Sequence, residues 1–437
     1  MKTKPNILYI HSHDTGRYIQ PYGYPVETPN LQKLAEQGVL FRQNFCTNPT
    51  CSPSRASLLT GTYPHENGMI GLAHRGFSLN DYGEHIVHTL RTKGYVSVLA
   101  GFQHILHSGK WDDEETTRAI GYDQHLGERG RDERAAAFLE NPPDQPFFLS
   151  VGFSETHREF PEIDEAPDDP RYVCPPPPLP DTPEIRQDMA RFQASARILD
   201  RRMGVVLDAL DRTGLAENTL VICTTDHGIA FPRMKCNLHD SGTGVMLILR
   251  GPDGFSGGKV VDAMTSHLDI FPTLCDWIGI EPPARLRGKS LLPLIRGEQD
   301  VLHDQLVFEV NYHAAYEPMR AVRTRRWKYI KRYDGRTRPV LPNADDGESK
   351  SVWLEHGWRD RTPPQEMLYD LVFDPNEANN LVGRPGYEDT LADMRTRLAR
   401  WMEETRDPLR EGKIAAPAGA FVNDPDGLSP QEPPNLA

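Results

Sequence analysis

Two pairs of side chains stand out for the chemistry they could do together. "ILYIHSHDTG" delivers His13 and Asp14 at the end of a short apolar run, and "LVICTTDHG" delivers Asp226 and His227 at the end of another. Carboxylates offer hard oxygen and imidazoles borderline nitrogen, so converging pairs of this kind make a divalent-cation site. Either pair alone is more often a turn after a strand than a set of ligands. The third element is "TNPTCSPSRASLLTG", residues 47–61, where Cys51 stands in a loop entering a helix, with Pro53 suited to the first turn and Arg55 close behind. The start of a helix is electropositive and stabilises a thiolate, an alkoxide or a bound anion. An inert core thiol is the usual role of a lone cysteine. It leaves the polar neighbours Ser52, Ser54 and Arg55 unexplained.

The elements that must position these residues can be read from periodicity. Apolar runs at 6–10, 96–100, 147–153, 219–225 and 244–251 have the length and content of buried strands in a largely parallel sheet. Helical patterns lie between them at 28–38, 84–94 and 183–214, the last opening on "DTPE" as a cap and closing on a glycine. Alternating strands and helices predict an α/β layered domain, and ligands of such sheets gather outside the carboxyl ends of the strands. Both acid–imidazole pairs sit at such ends. Beyond about residue 315 the pattern changes to antiparallel strands at 319–333 and 366–375 and an amphipathic helix at 387–406, followed by a Pro- and Asp-rich tail. We therefore expect a catalytic α/β domain over 1–315 and a smaller α+β subdomain over 316–437.

Composition narrows the function. The 437 residues are 38% hydrophobic and 25% charged, which is globular, and no apolar run approaches the length of a membrane span. With 49 basic and 62 acidic residues the net charge is −13, which disfavours nucleic acid and anionic membranes as partners. An anionic small substrate then needs a local cluster of cations to overcome the global field. Six scattered cysteines without CxxC pairs form neither a disulfide framework nor a zinc ribbon, and the strand-like start leaves no room for a signal peptide. The expectation is a cytoplasmic protein with reduced thiols.

In "PNILYIHSHDTG", "TPNLQKLAEQGVLFRQNF", "CSPSRASLLTGTYPHENGM", "TTDHG", "KCNLHDSGTGV" and "LYDLVFDPNEANNL" the chain resembles the formylglycine-dependent sulfatases of the alkaline phosphatase superfamily. Within them it looks most similar to the sulfamidase group and its bacterial members. The motifs span almost the whole chain in family order, and C-x-P-S-R followed by L-T-G is highly specific. The resemblance implies an alkaline-phosphatase-like sandwich and hydrolysis of a sulfate ester or sulfamate. It also implies that Cys51 is oxidised after translation to formylglycine by a formylglycine-generating or anaerobic sulfatase-maturing enzyme. The hydrated aldehyde is a geminal diol: one oxygen attacks sulfur, and deprotonation of the other expels sulfate, where a serine would be stranded as a stable ester.

Residue by residue, the resemblance implies metal ligation by His13, Asp14, the residue derived from Cys51, Asp226 and His227, and diol or sulfate contacts from Arg55. His104, in "AGFQHILH", matches the histidine that contacts the diol and serves as base for sulfate release. His157, in "FSETHREF", matches the donor to the leaving group, and Lys235 the lysine that contacts the sulfate and leaving-group oxygens. Three positions depart from the pattern. His13 replaces a usual aspartate, Phe102 replaces a lysine of the sulfate pocket, and Ser154 replaces the first histidine of the leaving-group segment. Calcium is the family ion, and an imidazole in place of a carboxylate shifts preference toward manganese or another transition ion. A phosphodiesterase or phosphonate monoester hydrolase of the same superfamily is the alternative activity, and a degenerate binding protein the non-enzymatic one. Substrate specificity would reside in the loops at 70–83, 107–135, 155–175 and 334–365, and a homodimer is the default assembly.

Overall fold

The computed structural model describes residues 4–107, 114–160 and 166–437. Parts of two expected specificity loops, 108–113 and 161–165, lie outside the described residues. The large sheet has eight strands: β1 Asn6–Ser12, β2 Val39–Phe45, β3 Val96–Gly101, β4 Gln124–His125, β5 Phe147–Gly152, β6 Thr219–Thr225, β7 Leu247–Arg250 and β8 Lys259–Ser266. Their order is β4-β3-β5-β1-β6-β7-β2-β8. All neighbours run parallel except β7, which is antiparallel to both β6 and β2. The run at 244–251 is thus a strand, shorter than expected and of opposite sense. Strand β8 was not anticipated: its first half, "KVVDA", is largely exposed at the sheet edge and carries no continuous apolar run.

Alternation on the strands sorts the core into two layers. Ile7 and Tyr9 pack with Ala56, Leu58 and Leu59. Leu8 and Ile10 pack with Leu199, Met203 and Val206 from the helix Pro183–Arg212. Side chains of a strand alternate between faces, so the Cys51–Thr60 helix and the long helix cover opposite sides of the sheet. The long helix starts as its sequence indicates, with Thr182 Oγ1 accepting from the Ile185 amide at 3.4 Å.

A second, antiparallel sheet comprises β9 Leu306–Tyr312, β10 Tyr316–Arg323, β11 Trp327–Arg332 and β12 Glu366–Asp370, ordered β12-β11-β10-β9. It opens at Leu306, ahead of the expected boundary at 315, with "LVFEVNY" buried along its whole length, the alternating Glu309 and Asn311 included. One face, with Val322, Tyr329 and Leu368, packs on Met394, Leu398 and Trp401 of the helix Glu388–Glu404. The other face, with Phe308, Val310 and Ile330, meets Phe45, Leu238 and Met264. The tail is pinned: Phe421–Val422 pairs with Asn435–Leu436, and the Asn423 amide donates to the Ala314 carbonyl at 2.8 Å.

Inside the second sheet a fully buried arginine holds two strands and the tail-side turn together. Arg320 donates to Asp407 through Nε at 2.5 Å and Nη2 at 3.0 Å, and through Nη1 to the Val310 carbonyl and Asn311 Oδ1, each at 3.1 Å. Glu309, which also accepts from His65, lies 3.6 Å away. Removing the cation leaves buried carboxylates uncompensated, so Arg320→Met is expected to destabilise the fold by about 3–5 kcal/mol. Chemical denaturation should show it, with Arg320→Met/Asp407→Leu recovering part of the loss.

Candidate active site

Strands β1 and β6 are parallel neighbours, with His11 opposite Thr224 and Ser12 opposite Thr225. This register carries both acid–imidazole pairs off the sheet side by side. The Asp14 amide then donates to Asp226 Oδ1 at 2.8 Å. Asp14 has φ of +55°, a conformation rare for a residue with a side chain, which turns its carboxylate back toward the sheet end.

The helix carrying Cys51 reaches the same point from one face. His227 Nε2 lies 3.4 Å from Cys51 Sγ and 3.2 Å from Asp14 Oδ1. One donor atom from each of His13, Asp14, Cys51, Asp226 and His227 lies within 4.8 Å of every other, and all five residues are buried. The structure thus brings together all five residues expected to hold a metal. Arg55, on the same helix, donates from Nη2 to Asp226 Oδ2 at 2.9 Å and to the Ser12 carbonyl at 2.8 Å, and from Nη1 to His11 Nδ1 at 2.7 Å. It therefore braces one carboxylate of the cluster and the end of β1.

Lys235 reaches in from the loop after β6, with Nζ 2.9 Å from Asp14 Oδ2 and 3.2 Å from Asp345 Oδ2. His157 stands at the rim, its side chain 39% exposed and Nε2 4.0 Å from Asp14 Oδ2. His104 Nδ1 lies 3.3 Å from His13 Nε2. Phe102 occupies the expected lysine position with its ring against those of His13 and His104, and the Arg55 guanidinium lies 5.5 Å above it. A cavity of about 670 Å³ opens over this group, lined by His13, His74, Phe102, His104, His157 and Arg158 among others.

The electrostatics suit a cation between the carboxylates. Burial pushes the His13 imidazole down to about 4, outweighing Asp226 and Asp14, so one of its ring nitrogens keeps a lone pair at neutral pH. Burial pushes the Asp14 carboxyl up, but Lys235, His13 and His227 outweigh it and hold the group well below the carboxylate range. Burial raises the Cys51 thiol well above its ordinary value against the pull of Lys235. A thiol so placed is a poor thiolate nucleophile in its own right. Two imidazoles, two carboxylates and a sulfur facing one point fit a divalent ion by donor chemistry and by spacing.

Three participants were not found from sequence. His11 accepts from Arg55, and its position two residues before His13, near the end of β1, could have suggested a shared face. His74 and Asp345 lie in loops without periodicity. No local signal marks them. Arg17 donates to the Asn44 carbonyl and stacks on Phe45, and is not among the residues lining the cavity.

A sequence profile described as "Sulfatase" matches residues 5–280. The chain belongs to the sulfatase family. A second profile, "N-sulphoglucosamine sulphohydrolase, C-terminal", matches residues 231–353. The N-sulphoglucosamine sulphohydrolase of Homo sapiens is 30% identical over 481 residues, covering 98% of this chain and 94% of the relative. A delta 4,5-hexuronate-2-O-sulfatase of Bacteroides thetaiotaomicron is 28% identical over 477 residues, covering 94% and 92%. Among solved structures, a 2-O GAG sulfatase superposes with a TM-score of 0.71 at 25% identity, covering 95% of each chain. This sulfatase is a sulfuric ester hydrolase with the mixed α/β fold and C-terminal antiparallel sheet of its relatives. None of its described helices is long and apolar enough to cross a membrane.

A ligand that binds only the folded state stabilises it by mass action. A divalent ion at about one hundred times its Kd should raise the unfolding free energy by about 2.7 kcal/mol, and a chelator should reverse the gain. The same titration on Asp226→Asn, which removes one anionic donor, should show a weaker ion and a smaller shift.

Proposed function

We propose that this sulfatase cleaves a sulfate ester or sulfamate of a sugar or aryl compound at a formylglycine derived from Cys51, beside a divalent ion held by His13, Asp14, Asp226, His227 and the modified residue. The observation that carries the reading is Cys51 itself: a buried thiol of raised pKa, within the five-residue donor cluster and one helical turn before an arginine bonded to that cluster. The match of the C-terminal segment to N-sulphoglucosamine sulphohydrolases favours a sulfamidase-like substrate, and the named relatives make a sulfated sugar the first class to test.

When bound, the ion supplies positive charge that polarises the sulfuryl oxygens and lowers the pKa of an oxygen nucleophile. A hydrated aldehyde at position 51, made by a maturing enzyme, supplies that nucleophile and a second hydroxyl for expelling sulfate. The remaining roles belong to the side chains in place. Arg55 fixes Asp226 and the end of β1 and directs its positive charge at the sulfate pocket. Lys235 sets an ammonium beside Asp14, where it can follow charge onto the sulfate and leaving-group oxygens. His157, open to the cavity, donates a proton to the departing oxygen or nitrogen, and His104 takes up a proton as sulfate leaves. The Phe102 ring cannot supply the charge of a lysine. The sulfate pocket therefore relies on Arg55, Lys235 and the ion.

Mass spectrometry of the Cys51 peptide from protein co-produced with a maturing enzyme should show the thiol replaced by an aldehyde. A peptide that keeps its thiol in the native host overturns the mechanism. Mature enzyme should hydrolyse an aryl sulfate or a glucosamine N-sulfate in preference to an aryl phosphonate ester; a strong preference for the phosphorus ester would identify the alternative hydrolase. Cys51→Ser should release the alcohol in one stoichiometric burst at most and then stall as a sulfate ester, detectable as an added sulfuryl mass on the intact chain.

A further inference from the structure

His13 Nδ1 faces the donor cluster, 2.7 Å from Asp14 Oδ1 and 3.3 Å from Asp226 Oδ2. Its Nε2 faces away, 3.3 Å from His104 Nδ1, and the other nitrogen of His104, Nε2, lies 3.2 Å from His74 Nδ1. The rings of His74 and His104 stack at 5.5 Å with 15° between their planes. His104 is buried, and it holds this place with φ of +59°, a conformation that must be imposed by its surroundings. Three imidazoles thus form one hydrogen-bonded file from the candidate metal centre to the cavity wall.

A neutral imidazole has one donor and one acceptor, so the direction of the first bond sets all the others. Without an ion, His13 Nδ1–H donates to Asp14; Nε2 must then accept from His104 Nδ1–H, whose Nε2 accepts from His74 Nδ1–H. With an ion on His13 Nδ1, that nitrogen gives up its proton position, Nε2–H donates to His104 Nδ1, and His104 Nε2–H donates to His74 Nδ1. Metal-bound histidines commonly have the second nitrogen fixed by such a partner, which sets tautomer and ring orientation.

We propose that His104 and His74 are positioning residues for the metal centre: the file reverses its hydrogen-bond polarity when an ion binds His13, and His74 anchors the polarity that the loaded site needs. The proposal rests on the reading of His13 as a ligand. In the loaded polarity the Nδ1 lone pair of His104 is held by His13 Nε2–H, so His104 takes up a proton as sulfate leaves only when that bond opens. An aspartate at position 13 could only accept from His104 and could not reverse the file, so the exchanged ligand and its imidazole neighbours belong to one arrangement.

The test is nitrogen NMR on full-length chain labelled at histidine side chains, titrated with zinc as a diamagnetic probe and with calcium in parallel. On ion binding the protonated nitrogen of His74 should move from Nδ1 to Nε2, although His74 is two imidazoles removed from the ion. His74→Leu, which offers no acceptor, should weaken zinc affinity by about tenfold to one-hundredfold in calorimetry. His74→Asn, whose amide can accept from His104, should keep affinity within about threefold of the parent, a rescue that a packing role would not give. Binding at the cluster with the His74 tautomer unchanged, or His74→Leu binding as tightly as the parent, would overturn the proposal while leaving the ligand assignment intact. If His13→Ala binds zinc as the parent does, the ligand assignment itself fails.

Discussion

The site depends first on the parallel pairing of β1 with β6. A parallel ladder fixes which residues leave the sheet together, and a shift of one residue would turn every side chain to the other face. The observed register sets Ser12 beside Thr225, so His13–Asp14 and Asp226–His227 emerge as neighbours although more than two hundred residues separate them in sequence. Two carboxylates brought this close repel each other. The surrounding cations, Arg55 from one helix and Lys235 from the following loop, make the pairing tolerable, and each is bonded to one of the two acids.

Further supports converge on the same point. Gly152, at the end of β5, has no room for a side chain: an added Cβ would sit 1.9 Å from the Phe102 carbonyl and 2.6 Å from the His11 ring. That close approach lets the segment carrying Phe102 and His104 lie against the end of β1. Phe102 then fills with apolar surface and a π-face the volume where charge was expected, and the Arg55 guanidinium lies over it. The cationic balance of the pocket is thereby shifted away from the β3 side and toward the Cys51 helix and Lys235.

Much of this arrangement was legible before any coordinates, because it rests on local signals. The catalytic strands are continuous apolar runs, the long helix carries its cap and its period, and Cys51 sits in a motif whose polar residues make no sense as core. Elements without such signals escaped. Strand β8 is half-exposed and breaks its apolar run, and β9 is buried throughout and looks like a core strand of the first sheet. Asp345 reaches Lys235 from a polar segment of the second subdomain, and His74 meets His104 from a loop. Both contacts are tertiary, made by chain segments whose own composition says only that they are loops.

The anchored tail gives the loop that carries His74 an unexpected mechanical setting. Arg75 donates to Asn423 Oδ1 at 2.7 Å and to the Pro430 carbonyl at 3.2 Å, and Gly76 packs so closely on Ala420 that an added Cβ would lie 3.0 Å from its Cα. Residues 420–430 therefore act as a buckle over one wall of the reaction chamber. That wall is thereby tied to a segment more than three hundred residues away in sequence, so a change in the tail is felt at the loop that carries His74.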